Sequence, residues 1–429
     1  MSRRSIFAAM LLFMASVVSH ATIAAEPTLI KTGRQPVLVV ADEITGRTFV
    51  ANSGVTDARF APGTGSVTVV DRTGESHTVA FAGQPIQMAV SESRHQVVVA
   101  NVLPNNVVVI DTQTLDFTVV PVDARTDGPL AIVEETGKAY VGGKQMTAAT
   151  YSGTLVEVDL QAMSSRVMTL PSLGIHYLAR SDDPLSLYAA GPATYRTPFG
   201  PDGHIARIDV RSGEITSRIS VGTEIRAFLS GGADLIAIVV DRTTHLLSDA
   251  IPSHVLAIDK ALVSTRLVAT LPRNDPGHLA DGTLVYPGQD FLGFASLDRN
   301  GDRLFAVSAG KMGIVDLETG TVHAVPITGY ALAATYLEDL DKVALISLLA
   351  DGTEVRAQVV GMDGTPAQSI VLPAFVSKAG GRYAIDHSKS LKKTFFTVAH
   401  ADSVAVLADV PTAARLITPW RLRASRGGP

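Results

Sequence analysis

The chain has no cysteine among its 429 residues. That excludes disulfides, thiolate metal sites, thiol nucleophiles, iron–sulfur clusters and covalent haem of the Cys-x-x-Cys-His type. Charge is scarce as well: 18% of residues against the usual quarter, beside 46% hydrophobic ones. A disordered chain has the reverse balance, so a packed core is expected. No Lys/Arg stripe accompanies the net charge of −5, which argues against a nucleic-acid partner. Arg421, Arg423 and Arg426 form only a short basic tail, read as a solvated terminus. Gly-x-Ser-x-Gly and His-Glu-x-x-His are both missing. Gly63-Thr64-Gly65 and Gly231-Gly232 sit in turn contexts without a following helix, so no phosphate cradle is supported. Long amphipathic helical patterns are nearly absent, and no stretch beyond residue 25 is apolar and long enough to span a bilayer.

What is present begins with an address. Arg3 and Arg4 precede an apolar run over 6–18, followed by small residues at Ala21, Ala24 and Ala25. This is the pattern of a secretory signal, with cleavage expected after Ala25 and Ala21 as the alternative. Processing would leave a chain of net charge −7, placed in the periplasm or secreted by a Gram-negative bacterium. Ser2-Arg3-Arg4-Ser5-Ile6-Phe7 is also close to a twin-arginine signal. Ile6 departs from that pattern, so the Sec route is favoured and the twin-arginine route is the alternative.

The remaining chain, 26–429, repeats itself. A short apolar strand ending in aspartate recurs at Asp71, Asp111, Asp159, Asp209, Asp259 and Asp316, with spacings of 40, 48, 50, 50 and 57. Weaker copies end at Asp363 and Asp409. Each unit reads strand, polar turn, strand, loop, Asp-ending strand, turn, strand, with β-branched alternation and glycine-bearing turns. Four short strands in a unit of this size are the signature of an all-β propeller. First strands are expected near Pro36, Ile86, Leu130, Tyr177, Arg226, Phe294, Ala331 and Arg382. Eight blades are favoured, with seven as the alternative. Leu29-Ile30-Lys31 is placed to close the ring on the last blade.

Phe49-Val50-Ala51-Asn52 with the strand ending at Asp71, and Val98-Val99-Ala100-Asn101 with the strand ending at Asp111, resemble the YVTN β-propeller repeat family. Tyr140-Val141-Gly142-Gly143 is a third copy in which asparagine is replaced. The resemblance implies a secreted, periplasmic or surface-layer-like propeller. It leaves function open, because such propellers include binding modules, lactonase-like enzymes and dehydrogenase subunits.

The repeated aspartates read as turn devices, since a catalytic group is needed once while a structural one is needed in every blade. Asp298-Arg299-Asn300-Gly301-Asp302 resembles the start of a calcium loop, but the twelfth position is Ala309. It is read as a hairpin turn on Asn300-Gly301. Long loops are expected over 53–65, 144–153, 191–203, 241–253 and 272–290, all on the face around the channel mouth. Arg242, His245, Asp249, His278 and Asp281 are the candidate ligand-binding residues there. His204 and His254 join His245 and His278 as histidines whose convergence would favour a metal centre. Phe60, Tyr151, Tyr195 and Phe199 are candidate ligand contacts, and Trp420 a packing residue at ring closure.

Two functions compete. One is a monomeric binding module for a protein, peptide or small molecule, without metal or cofactor. The other is a periplasmic enzyme, either a lactonase-like hydrolase or a metal-containing oxidoreductase subunit.

Overall fold

In the computed structural model, residues 28–54, 64–147, 150–196, 200–240, 253–271, 294–349, 354–372, 383–398 and 401–409 are described. Among them the protein is an all-β propeller of eight four-stranded antiparallel blades, with no α-helix. Blade 1 comprises Pro36–Asp42, Arg47–Asn52, Ser66–Val70 and Ser76–Ala80. Blades 2 to 5 begin with Gln84–Ser91, Leu130–Val133, Tyr177–Arg180 and Glu224–Gly231. Blade 6 begins with Phe294–Leu297. Its next segment, Arg303–Asp316, doubles back at Gly310 (φ 67°), and at the open end of that hairpin the Leu317 amide donates to Asp302 O. Val322–Leu337 then passes from the last strand of blade 6 to the first of blade 7, turning at Gly329 (φ 80°). Blade 8 takes Ile385–Ser388, Lys393–Val398 and Ser403–Ala408 from the end of the described chain. Its fourth strand is Thr28–Lys31, paired Thr28↔Val406 through Lys31↔Ser403. The chain thus closes its own ring, and each blade's first strand touches the next all the way round.

Alternation within the strands builds the core. Val97 and Val99 face blade 1, while Val98 and Ala100 face blade 3, so both sheet surfaces are buried. The same arrangement at each junction gives eight apolar clusters, one between every pair of neighbouring blades. The closing cluster joins Val39 and Val50 of blade 1 to Phe395, Val404 and Val406 of blade 8, with Ile30 against it. Burying each such aliphatic side chain contributes about 1.5–3 kcal/mol.

The repeat's polar residues are structural. Asn52 and Asn101 are fully buried; Asn52 Nδ2 donates to Ser66 Oγ (3.1 Å) and Asn101 Nδ2 to Asn106 Oδ1 (2.8 Å), pinning second strand to third. The strand-ending aspartates cap their turns. Asp111 Oδ1 accepts the Gln113 and Thr114 amides at 2.8 Å each, and Asp71, Asp159, Asp209, Asp259 and Asp316 do the same in their blades. Asp298 caps the Asp302 and Arg303 amides and pairs with the Arg303 guanidinium at 3.0 Å, so the calcium-like segment is a turn. That hairpin closes at Asp298 and Arg303 and is wider than a two-residue Asn300-Gly301 turn, because the aspartate gathers both amides.

Hydrogen bonds from these turn amides and hydroxyls hold the aspartate carboxyls below their ordinary range, Asp209 at about 2 with Arg211 as its main partner. A folded value below the unfolded one means a contribution present above pH 4 and lost as pH falls through the folded values. The urea midpoint followed by circular dichroism should therefore fall between pH 4 and pH 2. Asp111→Ala should cost about 0.5–1 kcal/mol at pH 7, modest because the turn is solvent-screened. The cost should shrink at pH 2; an equal cost at both would contradict the capping account.

Candidate functional site

The first-to-second and third-to-fourth turns share one face of the ring. The second-to-third hairpins and the blade-to-blade connections share the other. Among the described residues, two blades rise furthest on that second face. Lys138–Thr147 pairs with Thr150–Asp159 up to Thr147↔Thr150, and Ser186–Arg196 pairs with Gly200–Asp209 up to Arg196↔Gly200. The segments 144–153 and 191–203, expected as loops, are thus extended hairpins in their described parts. Continued alternation lets them keep hydrogen bonding beyond the blade body. A bridge, Thr150↔Thr194, fuses the two hairpins, so blades 3 and 4 form one eight-stranded sheet that stands as a wall.

At the foot of the wall lies the connection from blade 3 to blade 4. The Gly174 amide donates to Pro192 O (2.7 Å) and the His176 amide to Ala190 O (3.0 Å). The approach is close enough that a Cβ on Gly191 would fall 1.9 Å from Gly174 O, so only glycine fits there. His176 Nε2 is buried and makes no hydrogen bond among the described residues. Its ring stands edge-on to Tyr177, with centroids 6.5 Å apart. Burial first, then the Lys144 ammonium, pushes the imidazole down to about 4, with Asp127 opposing. The ring is therefore neutral at pH 7, with its Nε2 closed to solvent and without a partner among the described residues.

Two first-strand groups continue the floor into blade 5. The Tyr177 hydroxyl donates to Arg226 O (2.6 Å), and burial pushes its ionisation up to about 12. Arg226 pairs with Glu224 at 3.2 Å, both side chains about four-fifths buried. Arg226 Nε makes no hydrogen bond among the described residues. Glu224 pairs in register with Val240, and Val240 with Ser253. The roots of the 241–253 connection thus rise beside this floor. A groove of about 370 Å³, lined by Val221, Thr223, Val239, His254, Leu256 and Leu267, runs along the outer side of the same blade.

Of the residues expected from sequence to bind a ligand, Arg242, His245, Asp249, His278 and Asp281 lie outside the described residues, as do Phe60, Phe199 and Trp420. The Tyr195 side chain does too. Tyr151 is described; its ring lines the Gly174 backbone, 3.2 Å from where a Cβ on that glycine would stand. His204 and His254 are engaged within their own blades. Arg218 Nε donates to His204 Nδ1 (2.9 Å), which leaves Nε2 to donate to Asp202 Oδ2 (3.1 Å). His254 Nδ1 meets Thr270 Oγ1 at 3.0 Å. Neither belongs to a trio of ligating side chains among the described residues. Sequence reasoning missed His176, Lys144, Glu224 and Arg226. The available signal was a histidine standing directly before a first strand, where a between-blade connection must meet the channel mouth.

No family model matches the chain, and no curated protein matches it. Solved structures do share its fold. A Kuenenia stuttgartiensis structure of hydrazine synthase is 17% identical, with a TM-score of 0.54 over 89% of this chain and 98% of that one. Sqt1 of Saccharomyces cerevisiae is 10% identical, with a TM-score of 0.58 over 90% and 99%. Sqt1 of Chaetomium thermophilum is 9% identical, with a TM-score of 0.58 over 90% and 100%. At such identities the likeness is one of fold alone.

The floor makes a spectroscopic prediction. His176 should titrate near pH 4 by NMR, and Lys144→Ala should move it upward by part of the gap to 6.5. Because its folded value lies below the unfolded one, the neutral ring's contribution to stability is complete above pH 6.5 and is lost as pH falls toward 4. Titration of His176 at 6.5 would contradict its burial.

Proposed function

We propose that the protein is an exported propeller of YVTN type, acting as a monomeric binding module in the periplasm or outside the cell. It captures a protein or peptide, or a small ligand, against the wall of blades 3 and 4 and the floor reaching into blade 5. The observation that carries this reading is the asymmetry of the binding face. Among the described residues, blades 3 and 4 alone have their second-to-third hairpins bridged to each other, at Thr150↔Thr194, and the His176 ring and the Glu224–Arg226 pair lie at their foot. Rigid strands fix that geometry. A few convergent polar groups on an otherwise apolar frame suit binding.

Export is supported by Arg3, Arg4 and the apolar run that follows. The ring-closing strand starts at Thr28, so a cut after Ala25 keeps it whole. The enzymatic reading draws no support from His204 and His254, whose ring nitrogens are spent within their blades.

The test is cross-linking mass spectrometry on the exported protein in periplasmic extract, with Lys144 on the wall and Lys393 elsewhere in the ring as reporters. Partner cross-links should concentrate at Lys144. The variant His176→Ala/Arg226→Ala should lower capture at least tenfold while keeping the wild-type circular dichroism. Arg242→Ala/His245→Ala/His278→Ala tests the neighbouring connections in the same way. Unchanged capture by both folded variants would overturn this face as the site. An amino terminus still at Met1 would overturn processing.

A further inference from the structure

On the opposite face, three acid–base side chains meet across the last blade junction. Asp339 comes from the turn between the first two strands of blade 7. His387 lies in Ile385–Ser388, the first strand of blade 8, and Asp409 follows the third strand of that blade. One ring nitrogen and one oxygen from each carboxylate lie within 4.8 Å of one another. His387 Nε2 stands 3.1 Å from Asp339 Oδ1 and 3.2 Å from Oδ2, and Nδ1 stands 3.8 Å from Asp409 Oδ1. The imidazole and the Asp409 carboxylate are nine-tenths buried, whereas Asp339 is a third exposed and opens the cluster to solvent.

We propose that Asp339, His387 and Asp409 bind a first-row divalent transition-metal ion, with zinc as its representative, and that this ion clasps blade 7 to the ring-closing blade 8. The donor chemistry carries the inference. Thr394 Oγ1 lies 3.1 Å from Nδ1; with that hydroxyl accepting the Nδ1 proton, the Nε2 lone pair faces both oxygens of the Asp339 carboxylate, while Asp409 Oδ1 stands on the Nδ1 side of the ring. Three acceptor groups turned toward one another need positive charge between them. A proton on His387 serves one carboxylate closely, at Nε2, and leaves the other 3.8 Å from Nδ1. A dication serves both carboxylates and the imidazole together. One imidazole and two carboxylates form an N/O set suited to zinc, with ligand distances of about 2.0–2.2 Å and water in the remaining position. The Thr394 hydroxyl fixes ring orientation, as partners of metal-bound histidines do.

A second trio, Asp71, Glu75 and His77, carries no such inference. It lies on an exposed hairpin, and Asp71 Oδ1 is already taken by the Thr73 and Glu75 amides and the Thr73 hydroxyl. It serves as the internal control.

The experiment titrates chelator-treated full-length protein with Zn²⁺ by calorimetry at pH 7 and follows the thermal midpoint. Wild type should bind one Zn²⁺ per chain at micromolar Kd or tighter, with the midpoint rising by about 2–4 °C at saturation. His387→Gln should abolish binding. Asp339→Asn, at a turn position a third exposed where folding is little disturbed, should weaken it at least tenfold. His77→Ala should change nothing. No binding by wild type would overturn the proposal. Unchanged affinity in Asp339→Asn, or loss of binding in His77→Ala, would overturn it as well.

Discussion

The pairing of Thr28–Lys31 with Ser403–Ala408 is the constraint on which the ring depends. Without it, blade 8 would present a bare third strand, and the sheet would end in a row of unpaired amides and carbonyls. The strand itself is short and mostly exposed, so its contribution is topological more than hydrophobic. The Lys31 ammonium on Ala401 O and the Asp402 carboxylate on the Gln35 amide extend the join beyond the four paired residues. Around it the closing apolar cluster links blade 1 to blade 8 as the other seven clusters link their neighbours. Closure turns eight marginal sheets into one cooperative body, because no blade can bury both of its faces alone.

That architecture restricts where chemistry can occur. Strand side chains are spent on blade junctions, and the repeated polar residues on turns and strand pairing. Freedom remains at the two ends of the blades. On one face it is used for reach, in the fused hairpins of blades 3 and 4. On the other, charged groups from adjacent blades meet, as Asp339, His387 and Asp409 do. The two faces thus differ: paired hairpins extend one, and charged side chains meet across a blade junction on the other.

The fold was legible because repetition multiplies a weak signal. One strand ending in aspartate says little, but six of them at near-constant spacing describe a ring, and alternation such as Val97–Ala100 identifies faces buried on both sides. Strand starts at Pro36, Leu130, Tyr177 and Phe294 were readable for the same reason. Local exceptions were not. The chain over 144–153 and 191–203 carries glycine and polar residues typical of loops, yet its described parts remain paired, because partner strands of matching length hold them. The floor of the candidate site was less legible still. His176 owes its neutrality to burial against residues brought from elsewhere in the ring, and Glu224 and Arg226 look like ordinary surface charge in sequence. Asp339, His387 and Asp409 are separated by 48 and 22 positions and meet only because consecutive blades lie side by side.

The absence of native cysteine makes ring closure directly measurable. Lys31 and Ser403 are paired in register, Lys31 exposed and Ser403 close in size to cysteine. The double variant Lys31→Cys/Ser403→Cys should form an intramolecular disulfide under mild oxidation of the folded protein, seen by mass spectrometry as one proteolytic peptide pair joining the two ends of the chain. Quantitative formation of that pair is the expected result. A folded, oxidised variant whose thiols both remain free, or that cross-links only between molecules, would contradict a ring closed by its own amino-terminal strand.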